Sequence, residues 1–323
     1  MLLAGDLGAT NTRLGLFQRQ DPRPVEIFSR DFSTQGYPSV APMIIELLAE
    51  TKTKVEDIEA ACIGAAGPVI RQRVHPTNIS WYLDAQEVIT ATGLRRLHLL
   101  NDVEVMAHSV GALLPAELHV LQQGTKNPDG NAVLLTAGTG LGTGMLINLG
   151  GKMHPSPSEG GHADFAARTP REIELLQELT RLHGRAHIEL IVSGPGLVNV
   201  ARFTGAASSK VFTEAKSAAE LPARIARAAL DKSDPACVEA LDLFLTVYGA
   251  ASGNLAMTCV ATGGVYLGGG IPPKILPAFA NGLFMEAFLA KEPMVDLMRS
   301  IPVSIVLIDQ AGLLGAAVFA SCM

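Results

Sequence analysis

Four short segments carry the residue types that phosphate and hydroxyl chemistry need. The first is Gly5-Asp6-Leu7-Gly8-Ala9-Thr10-Asn11-Thr12. Glycine lets backbone N–H groups close on an anion, and Thr10 and Asn11 add side-chain donors. Asp6 ends an apolar run and is placed to hold Mg²⁺ through water, because that ion dehydrates reluctantly. Taken alone the segment is more simply an ordinary tight hairpin. The second, Gly138-Thr139-Gly140-Leu141-Gly142-Thr143-Gly144, has a GxGxxG-like spacing but lies between two apolar runs. A dinucleotide site needs a helix N-terminus there, and a Walker loop needs a Gly-Lys-Ser/Thr ending. Neither is present, so the segment reads as a second backbone cradle for phosphate.

Asn101-Asp102 follows the buried run 97–100. Ligands sit at such strand ends in open α/β sheets, and a carboxylate there can take the proton of an attacking hydroxyl. The plainer role for Asp102 is to cap the helix expected over 103–111. The fourth segment, Ser158-Glu159-Gly160-Gly161-His162-Ala163-Asp164, gathers polar groups around two glycines as a hydrogen-bonding comb for a polyol. Glu159 accepts from hydroxyls and His162 donates or accepts. A His beside carboxylates also suits a metal, but no second His or Cys lies at ligand spacing, so none is expected. Ser193-Gly194-Pro195-Gly196 and Gly268-Gly269-Gly270 punctuate strand ends; the latter could let an adenine ring lie against the backbone.

These segments need a scaffold, and the chain alternates short strands with amphipathic helices, the pattern of an α/β architecture. Residues 2–6 and 12–17 read as a β-hairpin around the first glycine turn. Helices are expected over 38–50, 81–92, 222–230 and 237–255, and strands over 60–65, 97–100, 265–267 and 301–308. Residues 133–136 and 145–147 repeat the opening hairpin around the second glycine turn, which suggests a duplicated unit. Thr169-Pro170-Arg171-Glu172 is a capping box with Pro at the first helical position, opening a helix closed by Gly184.

At 323 residues the chain exceeds what a single core usually serves, so two domains are expected. Hydrophobic residues at 48% and charged residues at 17% supply buried cores and argue against disorder. With a net charge of −6 and no Lys/Arg block, a nucleic-acid partner is not expected. No signal-peptide core precedes Asp6, and the run 311–320 is about half a membrane span, so a cytoplasmic chain without a membrane partner is expected. The 4 cysteines (Cys62, Cys237, Cys259, Cys322) are scattered, giving neither a zinc knuckle nor a disulfide framework.

Together these residues resemble the bacterial glucokinases, in the superfamily that also holds hexokinase, heat-shock ATPases and actin. The likeness runs in order from Ala4 to the terminal Gly312-Leu313-Leu314-Gly315. It implies a two-domain actin-like α/β fold with a cleft between the domains. Residues 1–110 and 306–323 would form the small domain and 111–305 the large one. Asp6, Gly8, Ala9, Thr10 and Asn11 match the family's first phosphate loop, and Gly138, Thr139 and Gly140 its second. Gly268, Gly269 and Gly270 match its adenosine motif. Asn101, Asp102, Glu159, His162 and Glu189 match its sugar-binding positions, with Asp102 as catalytic base; Glu189 is legible only through the resemblance. The implied reaction is ATP-dependent phosphorylation of glucose at the 6-hydroxyl with Mg²⁺, without zinc, in a homodimer. A kinase of another hexose or an amino sugar is the near alternative. A non-kinase actin-like ATPase is the distant one, and it would need no sugar comb. Departures are small: Ala9 stands where Gly is common, Val103 for Phe, Ser158 for Gly and Ala167 for Pro. The cysteine-rich zinc segment and DNA-binding domain of the related kinase–repressor branch are absent.

Overall fold

The computed structural model describes residues 1–76, 79–156 and 158–323. By packing they fall into two units, Met1–Glu117 with Met153–Pro157 and Ile308–Met323, and Leu118–Lys152 with Ser158–Leu307. The first unit runs past residue 110, where the sequence suggests a break. A bidentate ion pair from Arg23 to Glu117 holds that stretch on it.

The smaller unit is built on a five-stranded sheet of β1 (Leu2–Leu7), β2 (Asn11–Gln18), β3 (Val25–Ser33), β4 (Ala60–Ala65) and β5 (Leu97–Asn101), in the order β3-β2-β1-β4-β5. The first three run antiparallel, whereas β1, β4 and β5 are parallel. Side chains alternate across the sheet, as the pleat requires. Leu3 and Leu7 join the core with α1 (Val40–Glu50) and α2 (Ala85–Thr92), and Leu2 and Ala4 join the one with α3 (Asp102–Ser109) and the C-terminal helix Ala311–Ser321. These last two helices pack closely. A Cβ on Gly315 would run into the carbonyl of Val105, so only glycine permits the approach.

One expectation needs correction here, and one element is new. The helix placed over 81–92 begins at Ala85, because Asp84 is extended and its carboxylate accepts from the N–H groups of Gln86 and Glu87. Strand β3 was not anticipated; as a sheet edge it leaves Val25 and Ile27 about half exposed, without clean apolar alternation.

The larger unit supplies β6 (Leu118–Gln122), β7 (Ala132–Ala137), β8 (Leu141–Leu149), β9 (Gly264–Gly268) and β10 (Val303–Val306), ordered β8-β7-β9-β10-β6. As in the smaller unit, an antiparallel hairpin (β7–β8) pairs in parallel with a later strand, β9. Helices α4 (Pro170–His183), α5 (Gly194–Phe203), α6 (Leu221–Leu230) and α7 (Pro235–Thr258) share its core with Val133, Leu135 and Leu267. Thr169 caps α4 as expected, but Glu172 reaches back to the N–H of Arg168, one residue beyond the usual box. Among the described residues α7 is the one helix long and apolar enough to cross a membrane, while the helix at 311–321 is too short, as expected. The most apolar window of α7 is 72% buried, and the Tyr248 hydroxyl donates to the Leu135 carbonyl.

Candidate functional site

In the smaller unit, strand register does the positioning. Ala65 stands opposite Leu7 on one side and Asn101 on the other, so β1, β4 and β5 end in one row. Asp6 and the Gly8–Asn11 turn therefore share a sheet edge with Asn101 and Asp102. Asp6 points to the face of α3 and the C-terminal helix, where a Cβ on Gly312 would lie 2.7 Å from its Oδ2. Desolvation lifts the Asp6 carboxyl from 3.8 to about 6, with the charge of Asp102 adding and Arg13 opposing.

Capping of α3 falls to Asn101, not Asp102. The Asn101 Oδ1 accepts from Val103 N at 2.9 Å and Glu104 N at 3.4 Å, and its Nδ2 donates to the Gly67 carbonyl at 3.1 Å. Asp102 is the first helical residue, and its Oδ1 accepts from Val103 N at 3.0 Å.

The first glycine turn is pinned from behind. Thr34 donates through Oγ1 to the Gly8 carbonyl at 2.7 Å and through its N–H to the Thr10 carbonyl at 2.9 Å. A trans peptide holds C=O and N–H on opposite sides. Drawing those two carbonyls toward Thr34 thus aims the N–H groups of Ala9 and Asn11 away from it. The N–H of Gly8 is committed to the Asn11 carbonyl at 3.0 Å. Thr12 Oγ1, 2.8 Å from that of Thr34, completes a fully buried pair that sequence reasoning missed.

In the larger unit, Gly268 of β9 stands opposite Thr136 of β7, so Gly138–Gly140 and Gly268–Gly270 leave adjacent parallel strands at one edge. Gly138 donates to the Gly140 carbonyl at 2.9 Å and accepts from Gly194 N at 2.8 Å, which leaves Thr139 and Gly140 as the turn's outward donors. The N-terminus of α5, capped by Ser193, thereby abuts this turn. Its Ser-Gly-Pro-Gly motif was legible only as punctuation.

Glu189 joins the turn to the comb. Its Oε2 accepts from Leu141 N at 2.8 Å, and a Cβ on Gly140 would sit 2.6 Å from that oxygen. Its Oε1 lies 4.0 Å from His162 Nδ1. Glu159 and His162 are exposed across a single 3₁₀ turn, the His162 N–H donating to the Glu159 carbonyl at 3.0 Å. A second histidine lies at ligand distance although none lies at ligand spacing in the chain. His187 packs against His162 with ring centroids 5.0 Å apart, and ligand atoms of His162, His187 and Glu189 all fall within 4.8 Å of one another. The fold, not the chain spacing, brings His187 in. Desolvation, and then neighbouring His162, hold its ring below the ordinary histidine range.

A family model described as glucokinase matches residues 3–323. The glucokinase of Nostoc punctiforme is 36% identical over 347 aligned positions, covering 99% of each chain. Among solved structures, a glucokinase from an Antarctic psychrotroph superposes with a TM-score of 0.87 at 28% identity, covering 100% of this chain and 99% of that one. A glucokinase from Balamuthia mandrillaris, solved with glucose, shares the fold at a TM-score of 0.80 and 21% identity, covering 100% and 93%.

Proposed function

The chain belongs to the glucokinase family, an enzyme of the actin-like fold that phosphorylates glucose at the expense of ATP, and from this we propose how its residues divide the work. Asp102 serves as general base for the sugar 6-hydroxyl, and Asn101, Glu159, His162 and Glu189 bind the sugar. The turns at Gly8, Ala9, Thr10 and Asn11 and at Gly138, Thr139 and Gly140 cradle the phosphates through N–H donors; Gly268, Gly269 and Gly270 back the adenosine. One observation carries this reading. The parallel strands of the smaller unit end in register, setting Asp102 and Asp6 close enough for their charges to interact.

Two repelling carboxylates, one desolvated, are a donor set that suits Mg²⁺ with ATP. Asp6 would hold the ion through water, and the ion would offset phosphate charge during transfer. Asp102 takes the hydroxyl proton as the new O–P bond forms and the bond to ADP breaks. The N–H donors of both turns meet charge on the transferring group. No step of this reaction needs zinc.

We also propose a homodimeric cytoplasmic enzyme without nucleic-acid or membrane partners, as the resemblance implies. A coupled assay of ADP release across glucose, other hexoses and amino sugars tests the substrate. Glucose should give the highest kcat/KM. ADP release independent of any sugar would return the chain to the non-kinase ATPases.

A further inference from the structure

Among the described residues one buried side-chain nitrogen has no hydrogen-bond partner, Nδ1 of His187. Either tautomer leaves that atom unmet, as lone pair or as N–H. Orphans of this kind are rare in folded proteins, and an ion is one of the few things that explain them. The ring does not stand alone. His162 meets it edge-on at 60°, and the Glu189 carboxylate completes a triangle of ligand atoms no wider than 4.8 Å. Glu189 is oriented from behind, because the Leu141 N–H fixes Oε2 while Oε1 lies 4.0 Å from His162 Nδ1. Outer contacts of that kind set the direction of a metal-binding carboxylate.

We propose that His162, His187 and Glu189 form an exchangeable site for a borderline divalent cation of the Zn²⁺, Co²⁺ or Ni²⁺ class, occupied only when the sugar is away. Two imidazoles and one carboxylate suit those ions, whereas Mg²⁺ and Ca²⁺ prefer all-oxygen sets. Bonds of about 2.0–2.1 Å place tetrahedral ligand atoms roughly 3.4 Å apart, so a triangle up to 4.8 Å wide must tighten by up to about 1.4 Å. His162 supplies that movement, with 53% of its side chain exposed. The open side takes water as a further ligand. Displacement by glucose rests on the sugar-binding roles proposed above for His162 and Glu189; the cation site itself does not. Where it operates, these cations inhibit competitively with glucose and not with ATP.

The test is titration of the metal-free full chain with Zn²⁺ alone, followed by glucose. One ion per chain is expected, with affinity at least about ten-fold weaker in both His187→Ala and His187→Gln. Absence of binding to the wild type, or equal binding by the variants, overturns the site. Should the variants melt early, Co²⁺ absorption in the intact chain decides. Intense visible bands support a low-coordinate histidine site, and the weak spectrum of hydrated Co²⁺ excludes it. Binding that is lost in the variants but indifferent to saturating glucose keeps the cation site, and removes His162 and Glu189 from the sugar site instead.

Discussion

Asp102 and Asp6 are electrostatically coupled across the end of one sheet: after desolvation, the charge of Asp102 is the next largest cause lifting Asp6 from 3.8 to about 6. The coupling follows from register. Leu7 and Asn101 both pair with Ala65, so the residues beside them cannot avoid each other's field.

Asp102→Asn should therefore do two separable things. Turnover should fall by at least about 10²-fold, as expected for loss of a general base. The Asp6 carboxyl should titrate lower, read by carboxyl NMR. The fold should survive, since Asn101 and not Asp102 caps α3. A folded variant that keeps most of its turnover would remove Asp102 as the base.

Stability of the nucleotide-free protein should carry the mark of Asp6. Its folded value lies above the unfolded one, so between pH 3.8 and about 6 the native state holds a proton that the unfolded chain has lost. The Asp6 contribution hence improves as pH falls from about 6 toward 4, and the full penalty of the charged form is present above 6. Asp6→Asn should raise Tm near neutral pH and change it little near pH 4. Thermal melts across that range check this; equal shifts at both ends would mean that Asp6 is not strained by its charge. In the wild type, if Asp6 holds Mg²⁺ as proposed, kcat/KM for Mg-ATP should decline as pH drops through about 6, where the Asp6 carboxylate becomes protonated.

Thr34→Val keeps the side chain's shape but removes both of its hydroxyl's bonds, to the part-buried Gly8 carbonyl and to the buried Thr12 hydroxyl. A buried polar group left unmet costs about 1–3 kcal/mol. Some of that should appear as an increase in KM for ATP of several-fold or more, with glucose affinity nearly unchanged. Thr34→Ser, which retains the hydroxyl, should restore the wild-type KM. Parallel losses for both substrates would point to general unfolding, and a melt would show it.

Glu159→Gln and His162→Ala should weaken glucose binding far more than ATP binding if both side chains bind the sugar as proposed; both are exposed on one turn, so the fold should survive either change. Calorimetric titration of each ligand separately reads the difference. Were ATP the ligand that suffers, the sugar and nucleotide assignments would be reversed.

Much of this was legible from residue types. The opening glycine hairpin, the strand leading into Asn101 and the capping residue Thr169 follow from local rules and stand close to where the sequence puts them. The second hairpin's return strand begins at Leu141, four residues before the expected 145, so half of its glycine run is strand and not turn. Edge strands were not legible. Val25–Ser33 and Leu118–Gln122 each have a free side, so neither shows the apolar rhythm that marks a buried strand. The helix start at Ala85 was obscured because Asp84 suits a first turn as well as a cap. Contacts made only by folding were out of reach. Thr34 and Thr12 lie far apart in the chain, as do His187 and His162, and no spacing rule links either pair.

Glu189 is a single rigid lever with a load at each end. One oxygen steadies the peptide just after the Gly138–Gly140 turn, and the other lies 4.0 Å from His162 Nδ1. A ligand that draws on the second oxygen also changes the charge felt by the first, and so, if the proposed phosphate role of Thr139 and Gly140 holds, the turn's affinity for phosphate. Thermodynamic reciprocity requires that the influence run equally in reverse. Glucose and ATP should thus bind this enzyme as a coupled pair, each adjusting the affinity of the other by one common factor, and Glu189→Gln should bring that factor closer to unity.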